Sequence, residues 1–399
     1  MTPPLDLDEA QRRLLDQIKP LAVERISVEA TLGRYAAENV TAARTQPAAD
    51  LSAMDGYAMA GDDLAGPWEV IGESAAGHPF PGTLAPGAAI RISTGAIMPA
   101  GAGAVLLQEN AARDGERLAL NGEGEPSPRH VRRAGFDFRS GEPLLTAGAR
   151  IGPARIALAI AGGHATLAVH ALPSVAVLDS GDELAADPTR CAPNQIPASN
   201  GAMLAAMVAP YAASVSRIGP VPDRLEAMLG ALREAGEADV VVTSGGASVG
   251  DHDLVRPALE AWGATIDFWR VAMKPGKPLL IARRGRQWIV GLPGNPVSSY
   301  VTAFLFLLPL LRKLGGASDP LPQPVRLTLD AELPATGARL ELIRAIQAGG
   351  TVVPVSEQDS SAMRALAASN ALIRRESHSP TARKGELVDI YLLGDRGNA

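Results

Sequence analysis

Lys274-Pro-Gly-Lys277-Pro278, followed by Leu292-Pro-Gly-Asn-Pro296, gathers two ammonium groups and several rigid turns around one spot, an arrangement that suits an oxyanion. Upstream, Val241-Val-Thr-Ser-Gly-Gly-Ala-Ser-Val-Gly-Asp251-His-Asp253 carries an apolar run into a glycine-rich turn. The free N–H groups of such a turn can cradle phosphate, and carboxylates stand beside it. Each feature has a plainer reading: glycine-rich turns recur across α/β proteins, and lysines on turns are commonly just solvated. The prolines weigh against the plain reading of the lysines, because they stiffen a loop that solvated lysines would not need. The six histidines lack ligand spacing, and only His252, flanked by Asp251 and Asp253, stands out.

These groups need elements to hold them. From Ser174 the pattern alternates: apolar Val175 to Leu178, helical Asn200 to Met207 and Asp223 to Glu234, and apolar Val240 to Thr243. It continues with a helix near Asp253 to Trp262, a strand near Thr265 to Val271, a hairpin around Arg283 to Arg286 and a helix after Pro296. That rhythm predicts an α/β multidomain chain whose central domain is a doubly wound parallel sheet, with its ligand site at the strand C-terminal ends. Ser180-Gly-Asp-Glu183, Ser244-Gly-Gly and Lys274-Pro-Gly-Lys277 all fall at such ends.

The expected partition places residues 1–24 and 172–317 in the central domain, 25–42 and 142–171 in a connecting unit, and 43–141 in a small β or mixed domain. Residues 320–399, with alternating Val325 to Leu329, Leu340 to Ile346, Thr351 to Val355 and Leu387 to Leu392, predict a C-terminal β-barrel. The connecting unit carries a helix with Pro153 at its start and Gly162-Gly163 at its end.

With 399 residues, 46 % of them hydrophobic, the chain has ample material for several cores. A net charge of −6 and the lack of a basic cluster interleaved with aromatics disfavour nucleic acid, so an anionic substrate must be drawn by local charge. Cys191 is the only cysteine, which excludes an internal disulfide and a cysteine-built zinc site. The N-terminus has neither the basic start nor the apolar run of a secretory signal, and Tyr300 to Leu311, interrupted by Pro309, reads as a buried helix and not a membrane span. A reducing cytoplasm is the expected location.

Taken together, Ser52-Ala-Met-Asp55-Gly-Tyr-Ala, Ser93-Thr94-Gly-Ala-Ile-Met-Pro99, Ser180-Gly-Asp-Glu-Leu184, Ser244-Gly-Gly-Ala-Ser-Val-Gly-Asp251, Met273-Lys-Pro-Gly-Lys-Pro278 and Leu292-Pro-Gly-Asn-Pro-Val-Ser298 resemble the molybdopterin molybdenumtransferases, the MoeA and gephyrin E-domain family. The motifs run in the family's order over nearly the whole chain. The resemblance implies a MogA-like central domain, an elongated homodimer, and a site completed by the small β domain of the partner subunit. It implies molybdate insertion into the dithiolene of adenylylated molybdopterin with release of AMP, assisted by Mg²⁺ or another divalent cation.

By that similarity Lys274, Lys277, Ser298, Arg344 and Ser360 are the molybdate candidates, with Pro278 and Pro296 shaping the pocket. Thr243, Ser244, Gly245 and Gly246 are placed on the pterin phosphate. Glu183, Asp251, Asp55, Thr94 and Asp137 are the catalytic candidates, Asp251 and Glu183 also serving the metal, with Asp55 and Thr94 reaching in from the partner. Soft protein ligands for molybdenum are lacking, so thiolates must come from the substrate. Three departures stand out: Ala198 where the family usually has aspartate, Phe136 where glutamate is common, and Asp359 in place of a glycine before Ser360. The competing readings are a non-catalytic gephyrin-like scaffold and a molybdopterin adenylyltransferase. The latter shares the central domain, lacks the flanking ones and otherwise acts as the upstream partner.

Overall fold

The structure is a computed structural model and describes residues 4–245 and 254–394. Its central sheet has six strands in the order Ser214–Val221, Ser174–Ser180, Val240–Ser244, Gln287–Leu292, Leu280–Arg284, Thr265–Trp269. The first four are parallel; a tight hairpin turn at Gly285 (φ +59°) folds Leu280–Arg284 back antiparallel on Gln287–Leu292, and the edge strand Thr265–Trp269, antiparallel to Leu280–Arg284, runs again in the direction of the first four. The expected parallel sheet is therefore mixed at one edge. Its inner strands read as unbroken apolar runs because both faces are covered. Val175 and Val177 enter one core with Leu204, Val242 and Val297, whereas Ala176 and Leu178 enter the other with Met228, Leu232 and Leu259.

The helical run Pro296–Leu314 is 19 residues long and apolar enough to cross a membrane, but 89 % of that stretch is buried within the protein. It is a core helix, longer than the sequence suggested. Proline at 309 cannot donate to the preceding turn and crowds the carbonyl four residues back; the chain absorbs this by widening to a π turn over Ala303–Leu307.

Residues Leu340–Ala348, Thr351–Pro354, Val325–Leu329, Leu387–Leu392 and Ala371–Arg375 close into a five-stranded barrel around Leu329, Val352, Ile373 and Ile390. Its fifth strand, Ala371–Arg375, lay outside the alternating segments picked from sequence. Met273–Lys274 pairs in parallel with Leu340–Glu341, which anchors the two-lysine loop of the central unit to the barrel wall.

At the N-terminal side, Val23–Ser27 pairs antiparallel with Thr166–His170 and Val40–Thr41 with Pro143–Leu145, beside the helix Pro153–Ala161. Between those paired segments lies a six-stranded sheet in the order Ala102–Leu107, Gly56–Ala60, Ala88–Ile92, Trp68–Ser74, Arg117–Leu120, Ala111–Asp114. Met59, Trp68, Ile90 and Leu118 form its core.

Candidate active site at the strand ends

A cleft of about 930 Å³ opens at the C-terminal ends of the parallel strands, as the sheet topology requires. Ser180, Gly181 and Glu183 line it from one turn, Ser244 and Gly245 from the next, and Pro278, Gly294, Asn295 and Pro296 from the hairpin and the helix that follows. Ser361 and Met363 of the barrel region close one side.

Asn200 ties these turns together. Its Nδ2 donates to Ser244 Oγ at 3.0 Å and to Gly294 O at 2.7 Å, and because a carbonyl only accepts, the amide orientation is fixed. Gly245 stands at φ +94°, and a Cβ there would lie 2.8 Å from the Ser180 carbonyl, so the turn requires glycine. Thr243 is fully buried with an unpartnered Oγ1, so it supports the turn from below. Gly246, Asp251 and His252 lie outside the described residues.

The Glu183 carboxylate is exposed and folds back over Gly181, whose absent side chain leaves room for it. Lys274 lies 3.5 Å from Glu341 Oε1, and Lys277 has no ion-pair partner among the described residues. An exposed ammonium without a counter-charge is free to receive an anion.

For Arg344 the expectation of direct contact with the anion meets a different geometry. The side chain is 1 % exposed, and its guanidinium donates to the carbonyls of Glu357, Asp359 and Ala362. Burial pulls its pKa down against the carboxylates of Glu357 and Asp359. It therefore fixes the loop carrying Ser360 and does not present a free fork. Ser360 is joined to the opposite wall: its Oγ receives Asn295 Nδ2 at 2.9 Å, and its carbonyl receives Val297 N–H. Asp359 needs no left-handed backbone; its carboxylate accepts from Ser361 N–H and Oγ, which holds its pKa low and builds the turn a glycine would otherwise allow. Ser298 is nearly buried on the helix that begins at Pro296.

Asp55 and Thr94 come together on the N-terminal sheet, Thr94 N–H donating to Asp55 Oδ1 at 2.6 Å, and that bond lowers the Asp55 pKa. Asp137 is exposed, its N–H on Gln46 O. None of the three lines the cleft of the same chain. Sequence reasoning missed Asp223, whose N–H and carboxylate exchange hydrogen bonds with Asp182, and Asp179, a buried carboxylate at the floor. The signal for Asp179 was its place directly after the apolar run Val175 to Leu178 at a strand end.

Three family models match in order: the MoeA N-terminal region (domain I and II) over residues 5–163, a probable molybdopterin binding domain over 176–313, and the MoeA C-terminal region (domain IV) over 326–393. The chain is 32 % identical to a molybdopterin molybdenumtransferase of Haemophilus influenzae, covering 98 % of this chain and 100 % of that one. It is 31 % identical to the Bacillus subtilis protein of the same name, covering 99 % and 96 %. A solved MoeA protein of Pyrococcus horikoshii OT3 superposes with a TM-score of 0.83 at 27 % identity, covering 98 % of this chain and 100 % of that one. Fold and relatives together define an α/β enzyme of the transferase class. The chain belongs to the MoeA family.

Proposed function

We propose that this enzyme acts in molybdenum cofactor biosynthesis by inserting molybdate into the dithiolene of adenylylated molybdopterin, with release of AMP. The observation that carries the reading is the make-up of the cleft. Backbone turns at Ser244–Gly245 and Gly294, suited to phosphate, line the same cleft as Pro278 at the end of the two-lysine loop, inside the segment matched by the molybdopterin binding domain. The relatives' shared name supports the same assignment.

In this reading Thr243, Ser244, Gly245 and Gly246 form the phosphate seat. Lys274 and Lys277 neutralise molybdate as point charges, and Ser298 and Ser360 complete its shell by hydrogen bonding. Arg344 acts on that shell through the loop it anchors. Glu183 and Asp251 attend the phosphate bond that breaks. Among the described residues no three His, Cys, Asp or Glu side chains gather into a metal cage. Mg²⁺, which takes one or two carboxylates beside substrate phosphates, would be held by Glu183 and Asp251. A bound divalent cation would neutralise phosphate charge.

The protein works as a cytoplasmic homodimer that receives its substrate from a molybdopterin adenylyltransferase. Asp55, Thr94 and Asp137, away from the cleft of their own chain, serve the partner's. Mixing inactive Asp55→Ala and Glu183→Ala proteins tests this: exchange of subunits should restore AMP release to up to about a quarter of the wild-type level, because half of the mixed dimers' sites carry neither change. A mixture that stays inactive while the subunits demonstrably exchange would overturn the shared site.

A further inference from the structure

Asp179 is 4 % exposed at the end of the Ser174–Ser180 strand and faces the first turn of the helix Ser199–Val208. The residue at the cap of that helix is Ala198, which has no side-chain oxygen to accept from the first-turn N–H groups. A capping side chain ordinarily accepts from the second or third of those N–H groups. The third belongs to Gly201, and the Asp179 carboxylate lies against that residue. An ideal Cβ on Gly201 would lie 2.0 Å from Asp179 Oδ2, so only glycine admits the carboxylate at this point. Arg217, on the edge strand, stands 3.8 Å from the same oxygen.

We propose that Asp179 is a positioning residue of the cleft: reaching from the strand end, its carboxylate takes the capping seat that Ala198 leaves empty. It thereby fixes Asn200, the amide that binds the Ser244 turn to the Gly294 turn. Stability alone does not account for the choice. Asp179 Oδ1 is buried without a partner, as is Asn200 Oδ1, and a buried carboxylate left with an unmet oxygen is more costly than a small neutral side chain in its place. What the carboxylate secures is the geometry of the phosphate seat, one residue away through Asn200.

The inference rests on the proposed function for its ligand and on the fold alone for its geometry, and the experiment reads both. Asp179→Ser, Ala198→Asp and the double variant are compared with wild type by amide hydrogen exchange at Gly201, by binding of molybdopterin, and by KM and kcat for AMP release. Asp179→Ser should fold with an unchanged or higher melting temperature, exchange faster at Gly201, and raise Kd and KM about five- to tenfold with kcat little changed, the factor set by loss of one cap. The double variant, with the carboxylate moved to the helix cap, should recover slow exchange and binding to within about twofold of wild type. Wild-type exchange and affinity in Asp179→Ser, or a folded double variant that recovers neither, would overturn the proposal. Failure of wild type to bind molybdopterin removes the functional half and the proposed function with it, whereas the exchange result still decides the capping contact.

Discussion

Asn295 donates through Nδ2 to Ser360 Oγ at 2.9 Å, so the helix that opens at Pro296 and the loop of the barrel region meet through one side-chain hydrogen bond. The neighbouring Val297 N–H to Ser360 O bond runs in parallel and persists without the side chain. Asn295→Ala should therefore leave the fold intact, with a stability loss of about 1 kcal/mol, the usual net worth of one hydrogen bond. Its main effect should be on the anion: KM for molybdate rising about fivefold at nearly constant kcat, read by varying molybdate at saturating pterin substrate. An unchanged molybdate KM would separate Ser360 from the anion site.

Gly201 and Asp179 occupy each other's space. Ala is ordinarily the better helix residue by about 1 kcal/mol, but Gly201→Ala should destabilise by about 2 kcal/mol because the methyl group meets the carboxylate. Adding Asp179→Ser should remove the clash and return the helix preference, giving a strongly non-additive cycle in thermal unfolding. Additive effects would show that the two residues do not touch.

Arg344→Lys keeps the charge and loses the fork. A lysine can reach one of the three carbonyls the guanidinium now serves, leaving buried acceptors unmet at a cost of about 2–3 kcal/mol. Urea unfolding checks the stability loss. Molybdate affinity should fall as well, because the Ser360 loop loses its anchor.

Burial raises the Asp179 pKa, ahead of the opposing Arg217 charge and Gly201 N–H. A carboxyl whose folded pKa exceeds its unfolded one contributes stability below the unfolded pKa, and that contribution is lost as pH rises through the folded value. Asp179→Asn should therefore match wild type near the acid end and become increasingly more stable than wild type as pH rises towards neutrality. Melting temperatures over that range test the sign. Asp50 has the opposite sign: the Ala134 N–H and Arg133 hold its pKa low, so its contribution is lost on acidification.

Much of the fold was legible because buried parallel strands leave unbroken apolar runs, as at Val240 to Val242, and because Gly and Pro mark the turns between them. The antiparallel hairpin direction was half visible in Arg283 to Arg286, but its effect on the sheet was not, since strand order depends on tertiary pairing. The strand Ala371–Arg375 escaped notice because it follows a short helix, Met363–Ala368, without a strong turn signal. In the site, the motif lysines and glycines stood out by composition. The work of Arg344 did not, because its partners are backbone carbonyls that have no sequence signature. Asp179 was hidden for a related reason: its meaning lies in Ala198 and Gly201, some twenty positions away along the chain and adjacent only after folding.

AMP release from molybdopterin adenylate by the purified protein with Mg²⁺, measured with and without molybdate in wild type and Lys277→Ala, tests the central claim most directly. The account predicts molybdate-stimulated release by wild type and loss of that stimulation in Lys277→Ala, whose ammonium has no ion-pair partner among the described residues and which directly precedes Pro278 of the cleft lining. Wild-type protein that binds the adenylate and releases no AMP with any anion would contradict it.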